Sequence, residues 1–219
     1  MSVSRLWKTL IYEIFVTFQL IFIGTGAIIV NQKYTGTLGD FGIGICFGLA
    51  IYVGIMLFGR ISNAHMNPAA TLLLRACGKI NSKIAAILII SQIIGAFIAS
   101  FILYTISPMD STLGSTAPNA GILNSWFIEF GLTTILLIAV CLVSNMKVPL
   151  VAFILGSIVF LEAWLAGPLT GASMNPIRSI APAVVSGNTE NLWIYITAPF
   201  TASGLVYGLN RTFKLDSIF

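Results

Sequence analysis

Six apolar stretches, roughly residues 10 to 30, 40 to 59, 83 to 106, 122 to 144, 148 to 166 and 191 to 210, constrain this chain of 219 residues more than any other feature. A helix needs about 20 apolar residues to cross a hydrocarbon core of about 30 Å, and each stretch is near that length. Hydrophobic residues make up 57% of the chain and charged residues 8%, with a mean hydropathy of +0.97. An ordinary soluble domain is excluded. Lipid offers no partners to backbone N–H and C=O groups, so such spans are helical and the fold class is an all-α membrane protein. The first stretch carries Glu13 and lacks a small-residue cleavage site before the second, so it is expected to stay as a span rather than serve as a removable signal.

Six spans place both termini on one side of the membrane. Putting them in the cytoplasm leaves Arg5, Lys8, Arg60, Arg75, Lys79, Lys83, Lys147, Arg211 and Lys214 inside and only Lys33 and Arg178 outside, which is the arrangement the positive-inside rule requires. The net charge of +4 is then the basic inner rim of a protein of the plasma (cell inner) membrane, and no nucleic-acid partner is implied. Cys46, Cys77 and Cys141 show no paired spacing, so neither a disulfide framework nor a metal site is supported. No cofactor is implied either.

The chain repeats itself. Glu13 to Thr17 (EIFVT) recurs as Glu129 to Thr133 (EFGLT), and His65 to Thr71 (HMNPAAT) recurs in outline as Ser173 to Ser179 (SMNPIRS), at offsets of 116 and 108 residues. The repeats run roughly over 8–108 and 120–212, within one channel domain spanning 1–219. Three spans per half is an odd number, so the second half is inverted relative to the first, an arrangement that builds a central site between the halves. Each Asn-Pro is followed by an apolar stretch too short to cross. Asn is a preferred N-cap and Pro suits the first helical turn, so each motif predicts a re-entrant loop and a half-helix whose N-terminus points to mid-membrane. Irregular backbone at that depth must be buried in protein or line a water-filled cavity.

The paired motifs Asn67-Pro68-Ala69 and Asn175-Pro176-Ile177, the SNAH before the first, the GASMNPIRS around the second and the repeated Glu-x-x-x-Thr resemble the aquaporin (major intrinsic protein) superfamily over essentially the whole chain. The resemblance implies six spans and two half-helices in an inverted repeat, with Asn67 and Asn175 meeting at the centre of a pore. It also implies a homotetramer with one pore per protomer. Ile177 departs from the family's usual alanine. Arg178 resembles the family's selectivity-filter arginine, and distance from the motifs assigns Phe47, Ala163 and Ala172 to the other filter positions. Strictly water-selective members usually carry histidine where this chain has Ala163, so a wider, more apolar filter is expected, one that admits glycerol-sized or smaller neutral solutes. Ser179 and Ala183 are like the water-channel branch and Ile196 beside Tyr195 is closer to the glycerol branch. The mixture most resembles the nodulin-26-like subgroup and its bacterial relatives, whose members pass water, glycerol and neutral metalloid acids.

Ionisable residues inside spans are costly and face polar partners. Glu13 and Glu129, at equivalent repeat positions, are expected to accept backbone N–H bonds from the re-entrant loops, a role the family shares. His65 is read either as a lining of the inner vestibule or as a residue pinning its loop. Glu162 is read as an acceptor for outer-loop donors, or alternatively as a group that orients Arg178 or polarises the outer mouth. Gly44 with Gly48, Gly95 with Ala99, and Gly204 with Gly208 are expected to support close helix packing. The expected function is passive conduction of water and small uncharged solutes (glycerol, urea or neutral metalloid acids) across the lipid bilayer, with protons and ions excluded. A strictly water-selective channel and a secondary transporter are the alternatives, and no cluster has the spacing of an enzyme site.

Overall fold

The computed structural model describes residues 3–62, 64–107 and 112–217, with the side chains of 3–5 set aside. Asn63 of the SNAH stretch, the expected end of the first repeat at 108 and the chain ends lie outside these residues. The chain runs as α1 (Val3–Lys33), α2 (Gly39–Ser62), the short α3 (Pro68–Ala76), α4 (Ser82–Ile106), α5 (Ile122–Leu142), α6 (Val148–Thr170), the short α7 (Pro176–Ser186) and α8 (Leu192–Phe213), closing on a 3-10 turn, Leu215–Ser217. Among the described residues, six helices are long and apolar enough to cross a membrane. Their outward faces match that solvent: Leu57, Leu123, Phe153 and Leu165 are 61–67% exposed, an apolar surface that water would not tolerate over such an extent.

The observed helices outrun the expected spans at several ends. The sixth element shows why. Pro168 lies beyond the expected end of its span, yet α6 continues to Thr170 and stops only where Gly171 takes a left-handed φ of 84° and caps it, its N–H donating to the Gly167 carbonyl. A proline loses one bond of the ladder; the glycine ends the ladder outright.

Each half packs as a triplet, α1 against α2 and α4 and α5 against α6 and α8, and both half-helices, α3 and α7, lie against α4 of the first half and α8 of the second. The halves meet where α2 crosses α6. There Gly48 and Gly156, 108 residues apart in sequence, face one another across the pseudo-twofold axis. A Cβ on Gly48 would fall 2.7 Å from the Gly156 carbonyl oxygen, and one on Gly156 would fall 2.9 Å from that of Gly48. Small residues let helix backbones approach in this way. Gly44 seats against Trp164 of α6, and Gly95 seats against the Ile14 carbonyl of α1 with Ala99 buried nearby. Gly204 and Gly208 correct the expectation: both are exposed, and a methyl added at either would meet nothing within 4 Å among the described residues, because that face of α8 turns outward.

Candidate functional site

The two Asn-Pro motifs fold identically, and the local chemistry explains why. Asn67 and Asn175 are extended N-caps whose side-chain oxygens accept from Ala69 N at 2.9 Å and Ile177 N at 3.2 Å. Pro68 and Pro176 occupy the first helical position of α3 and α7. Before each cap the backbone visits the left-handed region twice, at Ala64 and Met66 (φ 47° and 51°) and at Ala172 and Met174 (φ 41° and 53°). Non-glycine residues there cost about 1–3 kcal/mol each and need a structure that imposes them.

Carboxylates from the first helix of each half do the imposing. Glu13 accepts from His65 N at 3.3 Å, Met66 N at 2.6 Å and the Gln92 amide at 2.8 Å. Glu129 accepts from Ser173 N at 2.9 Å, Met174 N at 2.9 Å and the Thr170 hydroxyl at 2.8 Å. Both are fully buried. Ser62 and Thr170 brace the same turns by accepting from Ala64 N and Ala172 N, each at 3.1 Å. Residue type alone gives no sign of Gln92, Ser62 or Thr170; the 108-residue offset would have paired the last two.

The loops then lock across the axis. The Asn67 amide donates to the Met174 carbonyl at 2.9 Å, and the Asn175 amide donates to the Met66 carbonyl at 2.7 Å. An amide nitrogen carries two hydrogens, so each asparagine has one left for the cavity that both residues line. That central cavity, about 70 Å³, is bounded by Leu20, Leu136 and Val159 as well as the motif residues. Two cavities continue it in the two directions, one of about 390 Å³ on the Arg178 side and one of about 300 Å³ on the Lys79 side, named outer and inner after the expected orientation. Phe47 and Arg178 line both the central and the outer cavities, Ala172 the central one and Ala163 the outer one. The four residues assigned to the filter thus flank one boundary. His65 lines the central and inner cavities, while its Nδ1 lies 3.1 Å from the Thr71 hydroxyl, so it is both a wall residue and a pinned one.

Arg178 is only 2% exposed. One Nη donates to the Gly114 carbonyl at 2.8 Å, and the guanidinium lies 5.0 Å from the centroid of the Phe47 ring, within cation–π range. Its Nε and second Nη are buried and have no protein partner among the described residues, so two donors at this boundary are left unsatisfied. Gly114 comes from the connection between α4 and α5, and nothing in the sequence marks its carbonyl.

Glu162 departs from the expectation of an acceptor for outer-loop donors. It is 7% exposed, and neither oxygen has a hydrogen-bond partner among the described residues. No outer-loop donor among them reaches it. A helical step from Ala163 turns Glu162 away from the cavities, which it does not line. Among the described residues, no group of three or more His, Cys, Asp or Glu side chains could hold a metal ion, and the three cysteines are free.

These features define a class: an integral membrane protein of six spans in an inverted repeat, with two half-helices meeting end to end at the middle of a transmembrane path. Residues 1–207 match the major intrinsic protein family, and the chain belongs to that family. It is 37% identical over 204 residues to Aquaporin NIP3-1 of Oryza sativa subsp. japonica, covering 91% of this chain and 66% of that protein. It is 35% identical over 217 residues to Nodulin-26 of Glycine max, covering 96% and 80%. The chain thus spans about two thirds of the length of the rice relative. The X-ray structure of the aquaglyceroporin from Plasmodium falciparum has the same fold, with a TM-score of 0.84 over 97% of this chain and 96% of that one at 23% identity.

Proposed function

We propose that this protein is a passive channel for water and small uncharged solutes, such as glycerol, urea or neutral metalloid acids, and that it excludes protons and other ions. The observation that carries this reading is the meeting of two half-helix N-termini, each capped by an asparagine with a spare amide hydrogen, on a cavity open toward both ends. Each N-terminus contributes roughly +0.5 charge. In aquaporin-type pores, half-helix dipoles and a pore arginine are the recognised barrier to cations and protons. A solute oxygen would be handed from Arg178 to the amides of Asn175 and Asn67.

Phe47, Ala163, Ala172 and Arg178 form the outer filter in this reading. Alanine at 163 leaves a methyl where an imidazole would add bulk and a polar partner, which supports passage of solutes larger than water. Glu13 and Glu129 hold the loops that carry the amides. The neutral central groups support conduction without ion coupling, and no catalytic role is proposed. Nine basic residues against two support termini in the cytoplasm and residence in the plasma membrane, and family membership supports a homotetramer.

Stopped-flow light scattering on proteoliposomes tests the reading. The parent is expected to pass water, glycerol and urea above empty liposomes, and Ala163→His to lose the solutes while keeping water. Water flux alone in the parent would point to a strictly water-selective channel; saturable flux driven by an ion gradient would point to a transporter.

A further inference from the structure

The outer filter has a mate at the other end of the central cavity. At the 108-residue offset, Phe47 corresponds to Leu155, Ala163 to Ile55, Ala172 to Ala64 and Arg178 to Ala70. All four mates, Leu155, Ile55, Ala64 and Ala70, line both the central and the inner cavities. Inversion of the repeat has built a second ring, and the path crosses it as it crosses the first.

The chemistry of the two rings is opposite. The outer ring carries a guanidinium with two unpartnered nitrogens among the described residues. The inner ring carries four apolar side chains, and the imidazole beside them, His65, has one nitrogen engaged by Thr71. Size is distributed oppositely too. Ile55, 5% exposed, places a branched side chain where the outer ring has only the Ala163 methyl. A polar group that enters an apolar constriction gives up water without gaining a partner, at a cost that rises with each group stripped, and apolar constrictions can block a path by dewetting.

We infer that this inner ring, with Ile55 as its principal side chain, is a second specificity-determining constriction. It sorts the neutral solutes admitted by the outer ring according to how many hydrogen bonds they must surrender. The inference rests on the channel function proposed above.

The test is proteoliposome stopped-flow with the full chain, using water and a series of two-, three- and four-carbon polyols bearing one hydroxyl per carbon. In the parent, permeability is expected to fall steeply along the series. Ile55→Ala is expected to raise the flux of the longer polyols about tenfold relative to water, the scale of discrimination that a few methylenes provide, and to flatten the series. Ile55→Val, which loses a single methylene, should shift the series in the same direction by less and serves if the alanine variant does not fold. Ile55→Phe should suppress polyols first and water next. A series in Ile55→Ala or Ile55→Val that runs parallel to the parent's, with Ile55→Phe leaving flux intact, overturns the inference. If the parent passes water but no polyol, the solute reading fails by itself, and the ring then stands or falls on whether Ile55→Phe lowers water flux. A parent that passes neither overturns both.

Discussion

The first and second halves of the molecule agree where they build the half-helices and disagree where they meet the solute. Caps, first-turn prolines, left-handed turns and carboxylate tethers recur at fixed offsets with nearly the same distances. The lining recurs only in part: Asn67 matches Asn175 and Ala64 matches Ala172, but Arg178 stands opposite Ala70, Ala163 opposite Ile55 and Phe47 opposite Leu155. The difference teaches that the repeat constrains backbone that lipid cannot satisfy, while the lining is free to differ at the two ends. A further break in symmetry lies behind the lining. Gly54 of α2 sits where a Cβ would fall 2.6 Å from Val16 of α1, whereas its counterpart on α6 is Glu162. In keeping with that, α5 and α6 share a smaller interface than α1 and α2.

The tethers offer the largest way to break the comparison. Glu13→Ala and Glu129→Ala each leave three donors without their acceptor, and a buried donor left unsatisfied costs about 1–3 kcal/mol. Both variants are expected to show a sharply lower Tm in detergent, by similar amounts. A large inequality would mean that the Gln92 link to α4, present only at Glu13, carries more of the load than the loop bonds.

The axis is probed by Gly48→Ala and Gly156→Ala. The added methyl would meet the Phe160 Cβ at 2.6 Å in the first and the Tyr52 Cβ at 3.1 Å in the second. Overpacking of this kind costs about 1–3 kcal/mol, and the first substitution is expected to be the worse. Equal unfolding temperatures for the two would show that the helices slide to accommodate either.

The cross-axis bonds come next. Asn67→Ala and Asn175→Ala each remove an N-cap worth about 1 kcal/mol and one hydrogen bond to the opposite loop. The stability losses are expected to match, while solute flux, measured in proteoliposomes, falls in both. A variant that kept full flux would show that its amide is not used.

The smallest effect is expected beyond the end of α8, where Lys79 pairs with Asp216 at 2.8 Å. The hydrogen bond from Lys79 holds the Asp216 carboxyl below its ordinary value. A depressed folded-state value means the contribution is present above the unfolded value, near pH 3.9, and fades as pH falls through the folded one. As a partly exposed pair it should contribute under about 1 kcal/mol. Asp216→Asn is expected to lower Tm slightly at neutral pH and less and less as the pH falls through the carboxyl's folded value, and high salt should shrink the difference; a large loss at neutral pH would reveal that the turn it anchors matters more than the pair.

Much of this protein was determined by its sequence alone. Apolar length fixed six helices, because lipid leaves the backbone no alternative, and the repeated Asn-Pro and Glu-x-x-x-Thr fixed an inverted pair of half-helices, because cap chemistry is local. What the tertiary structure decided was which distant groups meet. The Gly114 carbonyl that takes one Arg178 nitrogen lies 64 residues away, and Gln92 reaches Glu13 across 79 residues. Neither has a local pattern to betray it. The outward turn of Gly204 and Gly208 and the unpartnered burial of Glu162 among the described residues were equally beyond sequence spacing, since spacing gives the face of a helix but not what the neighbouring helix places against it.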